Sequence, residues 1–131
     1  MGTIETRFFG THDLTLRIAK GPLTAEEILA ALRSYYSGPV TSLLLWDARG
    51  ADLSALTGED VRLIVSTVRG YLDPRAGGKT ALVFTSDLGY GLGRMFDSYL
   101  DSGLTKVENR SFRSLPEALA WLGVPPGALE G

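Results

Sequence analysis

The fold of this chain is decided by residues 40–50, which read VTSLLLWDARG. Residues 43–46 are apolar one after another, without the polar alternation of a half-buried strand. Because a strand covered on both faces has this pattern, we predict that the run lies in the middle of a sheet. Asp47, Arg49 and Gly50 then break the apolar run at the strand's carboxyl end. Ligands and partners of open α/β sheets usually bind at that end.

The segments on either side predict alternating strands and helices. Residues 4–9 and 14–18 have the pattern of two strands joined by a polar turn, which predicts an N-terminal β-hairpin. Capping residues and helical spacing predict four helices, beginning after positions 24, 57, 86 and 114. Two further strands are predicted at residues 80–85 and 104–109. We therefore expect an α/β fold, with β-α repeats after the hairpin and a mainly parallel five-stranded sheet.

Length and composition predict one domain. The chain has 131 residues, of which 44% are hydrophobic and 21% charged, so it can bury a proper core. We expect a single α/β domain over residues 1–124. Gly123 and the prolines that follow it end the last predicted helix, so residues 125–131 are expected to be a loose tail.

Composition also argues against several classes of function. A formal net charge of -2 argues against nucleic-acid binding, which needs a basic footprint. The chain has no cysteine and one histidine, so we expect no thiolate chemistry, metal site or cofactor. No apolar run is long enough for a membrane span, and the first residues do not read as a signal peptide. We therefore expect a cytoplasmic protein.

Three segments resemble the SpoIIAA-like branch of the STAS domains. They are residues 43–50 (LLLWDARG), 86–96 (SDLGYGLGRMF) and 112–123 (FRSLPEALAWLG), and the order of elements matches over nearly the whole chain. The resemblance implies a non-enzymatic, bacterial, regulatory domain that binds a protein partner. The fold also resembles the CRAL-TRIO lipid-carrier domain, which implies as an alternative a carrier of a small apolar or lipid-like ligand.

The junction after the central strand departs from the STAS pattern. Anti-sigma-factor antagonists of the family carry Asp-Ser-Ser-Gly there and are switched by phosphorylation of a serine. This chain has Asp47, Ala48, Arg49 and Gly50 instead, so the resemblance implies no phosphoswitch at this place. Whether a nearby hydroxyl, that of Ser54 or Thr57, is phosphorylated stays open.

Seven residues at the predicted carboxyl-end rim of the sheet are candidates for contact with a partner or ligand: Asp47, Arg49, Asp52, Ser54, Asp87, Tyr90 and Arg94. The alternative for the first two is a local ion pair, which we favour. Close packing of a glycine-containing helix against a neighbouring helix is the favoured reason for the glycines of residues 86–94. The sequence presents no catalytic constellation.

Strand order bears on self-association. If the strands lie in sequential order, right-handed crossovers put every connecting helix on one face. The other face would then expose apolar side chains, and we expect two-fold homodimerisation to cover them. Alternatively, a helix crosses to that face and leaves a monomer.

Overall fold

A computed structural model describes residues 2–71, 73–100 and 106–130. The elements follow the order β1 (Thr3–Phe9), β2 (Leu14–Pro22), α1 (Ala25–Tyr36), β3 (Leu43–Asp52), α2 (Gly58–Arg69), β4 (Lys79–Val83), α3 (Asp87–Leu100), β5 (Glu108–Phe112) and α4 (Leu115–Leu122). Short 3₁₀ turns lie at Gly10–His12, Asp73–Arg75 and Pro126–Glu130.

The strands form one five-stranded sheet in the sequential order β1-β2-β3-β4-β5. β1 and β2 are antiparallel and form the predicted hairpin, whereas the other pairs are parallel. Asp13 closes the hairpin turn in the left-handed region, with φ of 49°. The predicted fold class is therefore confirmed, and β3 is the middle strand.

Both faces of the central strand are covered, as its unbroken apolar run predicts. Leu45 is fully buried against α4, in a core that includes Leu119 and Leu122. Its neighbour Trp46 points to the opposite face and packs in a second core, built from α1, α2 and α3. Because successive side chains of a strand point to opposite faces, four apolar residues in a row supply both cores.

The helix that follows the last strand corrects the reasoning about self-association. The three crossover helices do share one face, but α4 lies on the other and covers β3, β4 and β5. Ala128 and Leu129 of the 3₁₀ turn pack against the same core, which the expectation of a loose tail did not foresee. The homodimer remains a prediction, but an uncovered apolar face no longer supports it.

The predicted position of the last strand is wrong. We expected residues 104–109, whereas β5 runs over Glu108–Phe112, and positions 104 and 105 lie outside the described residues. The strand reads ENRSF, and its polar residues Asn109 and Ser111 are buried. Burial of polar side chains depends on tertiary contacts, so the apolar periodicity that located the other strands gave no signal here.

The helices begin where the capping residues predict. The Thr24 hydroxyl accepts a hydrogen bond from the backbone N–H of Glu27, whose carboxylate accepts from the N–H of Thr24. Thr57 and Asp60 form the same reciprocal box at α2. Each box satisfies two backbone donors that a helix start otherwise leaves without partners.

A buried guanidinium joins the amino ends of β3 and β4. Arg75 is only 2% exposed, and no carboxylate of the described residues lies within ion-pair distance of it. At 2.8–3.3 Å it donates to the carbonyl oxygens of Thr41, Ser42 and Lys79 and to the hydroxyls of Tyr36 and Thr80. Burial raises the pKa of the Tyr36 hydroxyl, an effect that the Arg75 guanidinium opposes.

We predict that Arg75→Met destabilises the protein strongly. The methionine fills part of the space but removes the donors that Arg75 supplies to five oxygens, and each oxygen left unsatisfied costs about 1–3 kcal/mol. The expected loss is therefore about 3 kcal/mol or more in the free energy of unfolding, measured with urea. Arg75→Lys should recover only part of it, because an ammonium lacks the planar fork of donors. Arg33→Met, at an exposed position of α1, is the control. A loss at Arg75 no larger than at Arg33 would contradict the prediction.

Candidate functional site

The seven predicted site residues lie in two groups at the carboxyl end of the sheet. Asp47 and Arg49 belong to β3, and Asp52 and Ser54 lie at its end and in the loop that leads to α2. The second group lies on α3 and consists of Asp87, Tyr90 and Arg94. Parallel strands and their following helices place both groups at the same end of the domain.

Asp47 and Arg49 form an internal ion pair. Nε of Arg49 donates to Oδ1 of Asp47 and Nη2 donates to Oδ2, both at 2.8 Å. Oδ1 also accepts from the Arg49 backbone N–H at 3.2 Å. These hydrogen bonds from Arg49 hold the pKa of Asp47 below its usual value and outweigh the opposing effect of burial. The Asp47 side chain is 13% exposed and that of Arg49 44%, so the guanidinium is the part open to solvent.

Asp52 and Ser54 shape the loop after β3. The backbone N–H of Ser54 donates to a carboxylate oxygen of Asp52 at 3.0 Å. Hydrogen bonding from the Ser54 side chain, and then from its backbone N–H, lowers the pKa of Asp52. The turn directs the apolar side chains of Leu53 and Leu56 inward, where both line a cavity.

That cavity lies between the sheet and the three crossover helices. It has a volume of about 120 Å³, and its lining is apolar throughout. Ala48 and Trp46 of β3 form part of its floor, and Phe96 of α3 forms part of its wall. Its place at the carboxyl end of parallel strands is the usual place of a ligand in such folds.

The group on α3 is completed by an arginine that the sequence analysis missed. Arg113, just after β5, forms an ion pair with Asp87 and places its guanidinium carbon 4.9 Å from the centre of the Tyr90 ring. Arg94 lies 6.0 Å from the same ring and donates to the Tyr90 hydroxyl at 3.3 Å. Arg113 is 19 or more positions away from the others along the chain, so only the fold brings it to Tyr90.

The glycines of α3 serve close packing, but against strands rather than a neighbouring helix. A Cβ atom on Gly93 would lie 2.4 Å from the Phe84 ring and 2.5 Å from the Ser111 hydroxyl. A Cβ on Gly89 would lie 2.9 Å from Phe84. Gly91 faces open space. The glycines on the inner face therefore let α3 approach β4 and β5.

Within the described ranges, no three side chains of the types His, Cys, Asp and Glu gather closely enough to hold a metal ion. In the same part of the chain, no helix is both long and apolar enough to cross a lipid bilayer.

Comparisons with known proteins support the fold. No protein-family model and no curated protein sequence matches the chain. Among solved structures it is similar to an uncharacterized protein of the DUF3478 family from Shewanella loihica PV-4, which has a SpoIIAA-like fold. The TM-score is 0.55 at 19% sequence identity, covering 92% of this chain and 93% of that one. The SpoIIAA-like fold that the sequence resemblance implies is thus confirmed.

We predict opposite effects for alanine at two positions of α3. Gly91→Ala should stabilise the protein by up to about 1 kcal/mol, because alanine is the better helix former and the site is open. Gly93→Ala should destabilise it by about 1–3 kcal/mol, because the methyl group meets Phe84 and Ser111. Urea unfolding of both variants measures the difference. Equal shifts of the two midpoints would contradict the assigned packing.

Proposed function

We propose that this SpoIIAA-like chain is a non-enzymatic, regulatory interaction domain that binds a protein partner at the carboxyl end of its sheet. The binding surface, called the rim surface below, comprises the seven candidate residues and Leu88: Asp47, Arg49, Asp52, Ser54, Asp87, Leu88, Tyr90 and Arg94. The non-enzymatic and regulatory parts of the proposal rest on the SpoIIAA-like fold, whose best understood members act by protein contacts. We also propose that the protein is bacterial and cytoplasmic, as the members of that fold group imply.

One observation supports this surface above others. Leu88, in the first turn of α3, is 51% exposed although it is a large apolar residue. It is flanked along the chain by Asp87, which pairs with Arg113, and by Tyr90, which contacts two arginines. Tyrosine and arginine are enriched among the residues that dominate binding energy in protein interfaces, and the exposed leucine beside them adds apolar surface that a partner can bury.

The arrangement of charge also favours recognition over simple stability. Two hydrogen bonds to the mostly buried Asp47 carboxylate hold the Arg49 guanidinium in a fixed direction, and Arg113 is paired with the exposed Asp87. Exposed ion pairs of this kind contribute little to folding, roughly 0–1 kcal/mol each. A partner that meets pre-oriented guanidiniums loses less side-chain entropy on binding.

We predict that Leu88→Ser combined with Arg94→Ala abolishes capture of the partner. Tagged wild type and variants are used for affinity purification from a lysate of the source cells, with quantitative mass spectrometry. Proteins retained by the wild type should fall at least about tenfold in the double variant, since one interface anchor contributes on the order of 2 kcal/mol. The matched control is Leu63→Ser on α2, a leucine of nearly the same exposure, 52%, outside the rim surface. Equal capture by wild type and the double variant would refute the assignment of the surface.

The apolar cavity favours a second candidate, a carrier of a small apolar ligand. Its lining has the character of a hydrophobic ligand site. At about 120 Å³ it is somewhat smaller than the cavities of about 150 Å³ that hold benzene in other proteins. A long acyl chain could therefore enter only if Leu53 and Leu56, which line the cavity, moved aside. A small compact ligand suits the cavity better than a phospholipid.

We predict for this second candidate that filling the cavity removes the bound molecule. Native mass spectrometry of the wild type purified from several hosts should show a mass above that of the chain. Ala48→Leu places extra methylenes in the cavity and should return the mass to that of the chain alone. Ala30→Leu, at an exposed position of α1, is the control and should keep the adduct. A clean chain mass for the wild type from every host would count decisively against a carrier.

A further inference from the structure

A second, larger cleft lies on the outer side of α3, beside β5. Its volume is about 550 Å³, within the range of roughly 300–1,000 Å³ that small-molecule sites occupy. Tyr90 and Arg94 of α3 form one side, and Arg113 and Glu117 form the other. Residues 109–112 of β5 form the floor. Unlike the apolar cavity, this cleft presents mostly polar atoms.

Three guanidiniums line the cleft. Arg94 and Arg113 both lie against the Tyr90 ring, and Arg110 lies 5.4 Å from the Phe112 ring. Asp87 neutralises Arg113, whereas neither Arg94 nor Arg110 forms an ion pair within the described ranges. The carboxylates of Asp97 and Glu117 also line the cleft. A bound anion would receive charge-assisted hydrogen bonds from the guanidiniums of Arg94 and Arg110.

Three polar side chains of the cleft are buried. Asp97, Asn109 and Ser111 are 6%, 7% and 4% exposed. The Ser111 hydroxyl oxygen has no hydrogen-bond partner, an arrangement that costs free energy unless a ligand or water fills it. The Asp97 carboxylate would repel an anion. The lining therefore separates a region for negative charge at the arginines from a region for hydroxyls at the floor.

We propose that this cleft binds a small molecule with a phosphate or carboxylate group at one end and hydroxyl groups at the other. The guanidiniums of Arg94 and Arg110 bind the anionic group, and Ser111 and Asn109 bind the hydroxyls. The proposal shares Tyr90 and Arg94 with the rim surface, but it requires no protein partner. Arg110 and Ser111 lie outside the rim surface and so separate the two functions.

Isothermal titration calorimetry tests the proposal with three probes: glucose 6-phosphate, 3-phosphoglycerate and gluconate. Inorganic phosphate and glucose represent the two halves of the ligand class. At least one of the three probes should bind, and more tightly than either half. Arg94→Gln with Arg110→Gln should weaken that binding at least about tenfold, as expected on losing charge-assisted contacts. Ser111→Ala should weaken binding of the hydroxylated probe but leave inorganic phosphate unchanged.

Arg62→Gln is the matched control. Arg62 lies 5.9 Å from the Tyr99 ring and donates to its hydroxyl at 3.3 Å, the same arrangement as Arg94 with Tyr90 but outside the cleft. Equal weakening by Arg62→Gln would overturn the proposal, because it would indicate unspecific attraction to surface charge. Absence of binding for all three probes at about 10 mM would also overturn it. Binding of inorganic phosphate as tightly as the hydroxylated probes would overturn the role of the floor.

Capture of the partner distinguishes this proposal from the interaction function. Arg110→Gln alone should lower the affinity for the small anion and leave capture of the protein partner at the wild-type level. If the wild type captures the protein partner but binds none of the small-molecule probes, the proposal for the cleft is refuted and the rim surface is unaffected. If it binds a probe but the rim variants capture the partner as well as the wild type does, the rim surface is refuted and the proposal for the cleft is unaffected.

Discussion

The buried guanidinium of Arg75 is the contact on which the geometry of the sheet depends. Parallel strands cannot be joined by tight turns, so β3 and β4 arrive at their common starting edge from separate crossovers. Arg75 binds the carbonyls of Ser42 and Lys79 at that edge and so holds the two strand starts together. Its donors are all used on neutral oxygens, so the buried guanidinium is fully hydrogen-bonded. A fixed register at the amino ends also fixes where the carboxyl ends meet.

Coverage of the sheet on both faces has a consequence for where a site can lie. α4 and the 3₁₀ turn cover one face of the inner strands and the crossover helices cover the other, whereas most of β1 is exposed. Binding of a ligand or partner is thereby directed to the edges and ends of the sheet. The amino end is filled by Arg75 and by Tyr36, which stacks on Tyr71 at 5.0 Å. The carboxyl end has the apolar cavity and the charged cleft, which makes it the chemically diverse end of the domain.

The local signals of the sequence predicted much of the fold but little of the site's geometry. Thr24 and Thr57 act within three residues of themselves, so their helix starts could be predicted from the chain alone. The run around Leu45 predicted burial on both faces because alternation is absent. Arg113 and Arg75 gave no signal, since each acts on residues far along the chain. The position of β5 was predicted wrongly because the burial of its polar residues also depends on distant contacts. A buried serine or asparagine cannot be told from an exposed one in the sequence.

The packing of α3 places two compartments of opposite character side by side. Phe84 and Gly93 line the apolar cavity, and Gly93 also lies against Ser111, which belongs to the floor of the charged cleft. The wall between the compartments is therefore only one aromatic ring and one helix backbone thick. On one side of it the lining is apolar, and on the other it consists mostly of charged and polar side chains. A ligand that requires apolar burial and one that requires guanidiniums would contact different atoms and would not compete. Glycine at position 93 lets both compartments exist, because any side chain there would press on the ring that divides them.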